Sequence, residues 1–201
     1  MSWLFVLTLF LAVLAAAFLG SGYLVQFLRR RAVLDRPNAR SSHKIPTPRG
    51  AGIAVIGVIL IAWLILAWAF PSHIPEGLNG AGAVPLFCLC ALVLALVSLI
   101  DDLREVPPLA RLVVQFAVVL IGFSTLPGGG EGLVFQGLLP PLMDKALSVI
   151  AWVWFLNLFN FMDGIDGITG IEAGAIGAGL FLLALIGGTD PGTGVFGLTL
   201  S

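Results

Sequence analysis

A chain of 201 residues that is 59% hydrophobic and only 10% charged, with a mean hydropathy of +1.07, lies far outside the composition of soluble domains, in which about a quarter of residues are charged. This excludes a water-soluble enzyme and makes the lipid bilayer the first partner; none is expected from nucleic acid. The net charge of −1 says little by itself, so the information sits in where the few charges fall.

Apolar runs near 3–28, 51–70, 83–100, 109–126, 146–162 and 171–187 each approach or reach the roughly 17–25 residues that a membrane-spanning helix needs. They predict an all-α fold, a polytopic transmembrane helical bundle of six spans forming one membrane-embedded domain over 1–201. The closing "GVFGLTLS" begins a seventh span without the polar tail that follows a last one, and the chain therefore reads as incomplete at its C-terminal end.

The opening "MSWLFVLTLFLAVLAAAFLG" lacks a basic start and runs too long for a cleaved signal, so it is expected to stay as the first span. Seven of the ten Lys and Arg residues follow it directly: Arg29, Arg30, Arg31, Arg36, Arg40, Lys44 and Arg49. The positive-inside rule puts that loop in the cytoplasm and the N-terminus outside. The loops near 71–82 and 127–143 are then outside and carry no Lys or Arg, while those near 101–108 and 162–170 are inside. The five tryptophans are expected mostly at span ends, as interfacial anchors. Cys88 and Cys90, in mid-span with no companion ligands, read as packing residues.

This topology brings three polar clusters to one membrane face. The first, "DRPNARSSHKIPTPRGAG", cannot be a regular helix because Pro37, Pro46 and Pro48 interrupt it. His43, Lys44 and Arg49 in that setting suit a phosphate, although the bland alternative is a set of topology-determining cations resting on anionic head groups. The second, "SLIDDLREVPP", ends a span in adjacent carboxylates, Asp101 and Asp102. Like charges at a helix C-terminus repel each other and oppose the macrodipole, so they require solvent, a cation or a basic partner. Arg104 is a local counter-ion candidate. Arg111, inside the next apolar stretch, should pair with one of these acids or snorkel to the surface.

The third cluster is "NLFNFMDGIDGITG". Asn157, Asn160, Asp163 and Asp166 recur every third residue, and each step falls about 60° short of a full helical turn, so a straight helix cannot gather all four on one face. Gly164, Gly167 and Gly170 permit a non-helical turn that could. Asn and Asp oxygens on such a turn suit a hard cation such as Mg2+. Interfacial capping with ordinary Asp-Gly turns is the bland alternative.

Taken together, "DRPNARSSHKIPTPRGAG", "LIDDLREVPPLARLVVQF" and "NLFNFMDGIDGITGIEA" resemble the polyprenyl-phosphate N-acetylhexosamine-1-phosphate transferases, the group that includes phospho-N-acetylmuramoyl-pentapeptide transferase. The last motif is similar to the branch that starts O-antigen synthesis. The resemblance implies Mg2+-dependent transfer of an N-acetylhexosamine 1-phosphate from a UDP-sugar to undecaprenyl phosphate, releasing UMP, in the bacterial inner membrane with the site on the cytoplasmic face. A homodimer is compatible with it. It makes Asp101, Asp102 and Asp166 catalytic, Asn160 and Asp163 metal ligands, and His43 and Arg49 substrate-binding. Arg111 and Asn157 join the substrate-binding set from their placement. Glu105 and Ser41 stand where the family often has Lys, and the family's later Asp and His motifs are not in the chain.

Either Asp101 or Asp102 is a candidate general base, and a covalent aspartyl-phosphate is the other route. The competing classes are an ion-coupled transporter, disfavoured by acids at span ends rather than at the midplane, a CDP-alcohol phosphotransferase, whose "DG…AR" continuation is missing, and an inactive transferase fragment.

Overall fold

The computed structural model describes residues 3–31, 34–35, 47–48, 50, 52–74, 78, 82–104, 106–125, 134–135, 138–162 and 167–187. It is helical, in the order α1 (Trp3–Arg30), a two-residue antiparallel pairing of β1 (Leu34–Asp35) with β2 (Thr47–Pro48), α2 (Gly52–Ala69), a 3-10 turn (Pro71–His73), α3 (Ala83–Leu103), α4 (Pro108–Phe123), α5 (Pro141–Met162) and α6 (Ile168–Leu185). The chain divides into two compact units, Met1–Glu76 with Asp163–Ser201, and Gly77–Met162.

In the first unit α1 packs on α2. A side chain at Gly20 would meet Ala54 at 3.9 Å, and the Phe5 and Phe70 rings lie 4.9 Å apart. Leu66 is fully buried there, whereas Leu11, Phe18 and Trp68 face outward, as expected for helices whose solvent is hydrocarbon. The strand pairing sets Leu34 opposite Pro48 and Asp35 opposite Thr47; extended backbone is what prolines allow where they forbid a helix. Gly167 caps the N-terminus of α6 from just outside it, and its φ of +80° is a left-handed conformation that a Cβ would disfavour.

The second unit is a three-helix hairpin series. A short connection reverses the chain between α3 and α4, and Pro108 opens α4 at a position where the missing N–H costs nothing. Among the described residues, five of the six α-helices are long and apolar enough to cross a membrane; α4, with 16 residues, is about 24 Å long and falls short of a full hydrocarbon core. Val119 and Phe123 of α4 pack with Val149 and Val153 of α5 to form the core, flanked by Phe116, Trp152 and Leu156. Gly122 leaves room for the Trp152 ring, which a Cβ would meet at 3.5 Å.

Three expectations are corrected. The fifth helix begins at Pro141, not near 146, because proline is well suited to a first helical position; this brings Asp144 and Lys145 into its opening turns. Trp63 is buried in the middle of α2, and Trp152 belongs to the α4–α5 core, so these two rings fill space inside the helix packing. Gly170 lies in the first turn of α6 and contributes no non-helical turn. Cys88 and Cys90 are buried and free, in keeping with a packing role.

Candidate active site

Polar side chains meet in the second unit where α3 ends, α4 begins and α5 approaches its end. Each helix supplies two of them at one-turn spacing, which is what places neighbours on one face: Ser98 and Asp101 on α3, Arg111 and Gln115 on α4, Asn157 and Asn160 on α5. A cleft of about 130 Å3 lies among them, with Ser98, Asp101, Arg111, Gln115 and Asn160 as its polar lining and Leu94, Val97 and Leu156 as its apolar wall.

Asp101 organises the α3–α4 turn. One carboxylate oxygen accepts the backbone N–H of Val106 at 3.0 Å and the other accepts Arg111 Nη1 at 2.7 Å. The Arg111 and Asp101 side chains are 28% and 24% exposed, so the pair is partly desolvated and its attraction is less screened than that of a surface ion pair. This resolves the cost of a guanidinium inside an apolar segment. Arg104 does not act as the counter-ion: the backbone turns extended there, with φ −146° and ψ 121°, its side chain is exposed, and it forms no ion pair among the described residues. Asp102 is exposed in the last turn of α3 and is not part of the cleft lining.

The two asparagines separate in role. Asn157 donates from Nδ2 to Gln115 Oε1 at 2.7 Å and to the Val153 carbonyl at 2.9 Å, so both its N–H groups are engaged within the bundle and it stands behind the cleft. Asn160, one turn later, is exposed and lines it. Helix continues to Met162. The candidates His43, Arg49, Asp163 and Asp166 lie outside the described residues.

Two residues in this unit escaped the sequence reading. Gln115 is 7% exposed and lines the cleft; its signal was a single amide four residues after Arg111 in the apolar run "RLVVQFAVVL". Asp144, at the opposite end of α5, is 0% exposed and accepts the N–H groups of Val134 and Phe135 at 3.0 and 2.9 Å, with Ser148 Oγ at 3.4 Å. Its place in the first turn of a helix favours a negative charge.

The described residues contain no group of three or more His, Cys, Asp or Glu side chains placed to hold a metal ion. Asp101 has both oxygens committed, which leaves the Asn160 amide as the cleft's uncommitted side-chain carbonyl beside Ser98. An oxygen of this kind fits a hard cation that takes few protein ligands.

A multi-helix chain with five helices long and apolar enough to cross a membrane among its described residues, and with a partly desolvated ion pair beside an apolar wall at helix ends, defines a multi-pass membrane protein. The description "Glycosyl transferase family 4" matches residues 84–200, more than half of the chain and including every described cleft residue. The chain belongs to glycosyl transferase family 4. It is 28% identical over 148 residues to the undecaprenyl-phosphate alpha-N-acetylglucosaminyl 1-phosphate transferase of Escherichia coli K12, covering 71% of this chain and 37% of that protein. The protein of the same description from Salmonella typhi is 30% identical over 155 residues, 72% and 39%. The decaprenyl-phosphate N-acetylglucosaminephosphotransferase of Mycobacterium leprae is 28% identical over 165 residues, 78% and 39%. The chain thus spans about two fifths of the length of these relatives. No solved structure matches it.

Proposed function

We propose that this chain carries part of the site of a transferase that moves N-acetylhexosamine 1-phosphate from a UDP-sugar to undecaprenyl phosphate, at the cytoplasmic face of a bacterial inner membrane, as the first step of a cell-envelope polysaccharide. The observation that carries the reading is the Asp101–Arg111 pair at 2.7 Å in a cleft with an apolar wall, inside the segment that matches the family. The names of the relatives favour N-acetylglucosamine as the sugar; the O-antigen role rests on the third motif alone.

In this reading an oxygen of the lipid phosphate attacks the sugar-bearing phosphorus, the bond to UMP breaks, and UMP leaves with the electron pair. The barrier is lowered by positioning and charge neutralisation. Arg111 holds a phosphate oxygen through the guanidinium N–H groups that Asp101 does not use. His43 and Arg49 are the first-loop phosphate contacts. Asp101, with one oxygen on Val106 and one on Arg111, is poorly placed to take a proton or form a covalent phosphate, which favours Asp102 as the base and a direct displacement. Asn160 and Asp163 would hold Mg2+, which supplies Lewis-acid polarisation of the diphosphate, and Asp166 completes the acidic set.

The test is Asp163→Ala in membranes carrying the protein. Mg2+-dependent UMP release is expected to fall by at least about a hundredfold, on the scale of losing a catalytic electrostatic contact. Undiminished release would remove the metal assignment.

A further inference from the structure

Gln115 is a glutamine 93% withdrawn from solvent, since 7% of it is exposed, in the middle of an apolar helix, and only half of its amide is satisfied within the bundle. Its Oε1 accepts from Asn157, whose other N–H is held by the Val153 carbonyl. Reversing the Gln115 amide would set two donors against each other, so its orientation is locked and Nε2 is the free end. No described residue accepts a hydrogen bond from that nitrogen, yet Gln115 lines the cleft. A buried donor without an acceptor is costly, and native structures retain one where a ligand or water completes it.

The surroundings say what kind of ligand. Gln115 stands one helical turn beyond Arg111 on the same face of α4, about 5–6 Å further from the helix start. Beside the two donors is the apolar wall of Leu94, Val97 and Leu156. In a nucleotide sugar the diphosphate lies between ribose and sugar, both polar, so the groups next to the phosphates gain little from such a wall, whereas in a prenyl phosphate the phosphate is esterified directly to hydrocarbon. We propose that Gln115 contacts substrate, donating from Nε2 to a phosphate oxygen of the lipid acceptor, and that Asn157 is its positioning residue. This rests on the transferase reading above. The same phosphoryl chemistry is offered by the diphosphate of the nucleotide sugar, and the experiment separates the two.

The chain is placed in lipid nanodiscs and titrated calorimetrically with farnesyl monophosphate and, separately, with UDP-N-acetylglucosamine. Gln115→Leu is expected to weaken farnesyl phosphate about tenfold or more, the scale of one hydrogen bond to a charged group, and to leave the nucleotide sugar unchanged. Gln115→Glu, which presents a carboxylate to the phosphate, should weaken it further. Asn157→Leu should have a smaller effect, and adding it to Gln115→Leu should have none, because a positioning residue acts only through its partner. Thermal unfolding of each variant identifies a purely structural role, which would lower the melting temperature and weaken both ligands together. That result, or wild-type affinity for farnesyl phosphate in Gln115→Leu, overturns the proposal. Loss confined to the nucleotide sugar overturns the lipid assignment. If the unsubstituted chain binds neither ligand, it is the transferase reading that fails.

Discussion

If the proposed transferase reading holds, replacing Arg111 by alanine is expected to lower UMP release by at least about a hundredfold, and in any case to destabilise the second unit by about 1–3 kcal/mol. The ion pair at 2.7 Å is the only described neutralisation of Asp101, and it sits at the C-terminal end of α3, where the helix macrodipole already opposes a negative charge. Removing the guanidinium leaves that carboxylate partly desolvated and unpaired. The stability effect stays modest because both side chains are about a quarter exposed, so water can move in. Arg111→Lys should retain most of the stability and less of the activity, since an ammonium keeps the charge and loses the fork that holds an oxyanion beside a carboxylate. Asp101→Asn tests the other partner. If Asp101 orients Arg111 and takes no proton, the Asn variant should keep measurable turnover with an unchanged pH profile, and combining it with Arg111→Ala should add little. A pH profile that loses its acidic limb in Asp101→Asn would make Asp101 the base.

The largest stability effect is expected from Asp144→Ala, at about 2–4 kcal/mol. Asp144 is fully buried and both its oxygens accept backbone N–H groups, from Val134 and Phe135. Alanine would leave two part-buried donors without acceptors, each costing up to about 1–3 kcal/mol to the extent that water cannot replace the carboxylate, and would remove a carboxylate from the opening turn of α5. Asp144→Asn keeps one acceptor oxygen and should lose roughly half as much. Thermal or detergent unfolding measures both. Asp144 and Asn160 are 16 residues apart on one helix, about 24 Å, so ligand affinity of the folded variant should match the parent. A parallel loss of affinity in folded protein would show that the two ends of α5 are coupled.

The helices were legible before the structure because hydrocarbon demands internal backbone hydrogen bonding and about twenty apolar residues per crossing. That constraint acts locally, and a run of leucine, valine and alanine satisfies it without reference to any neighbour. The same holds for the acidic pair at the end of α3 and for the need of Arg111 to find a partner. Helix starts were less legible: the Pro140–Pro141 pair marked the beginning of α5, yet hydropathy pushed the expected boundary past Asp144 and Lys145, whose polarity is hidden by burial and by helix-end chemistry. Trp63 and Trp152 misled for a related reason. An aromatic ring suits an interface or a core equally well, and the choice depends on the space opposite it, which at Trp152 is made by Gly122.

From the sequence alone come an all-helical, multi-pass membrane chain, the family motifs, and the expectation of a site drawn from three polar clusters: the Pro-rich basic loop, the Asp101–Asp102 pair and the stretch from Asn157 to Gly170. What the tertiary structure decided is which polar atoms meet. Arg104 is nearer to Asp101 along the chain, but an extended residue carries it away and the α3–α4 reversal returns Arg111 in its place. Asn157 and Asn160 look alike in sequence, yet the 42-residue reach to Gln115 turns one into a brace and leaves the other in the cleft. Hydrogen bonds are directional and short-ranged, so their partners are set by how helices pack and rotate against one another, and no local pattern of residue types specifies that.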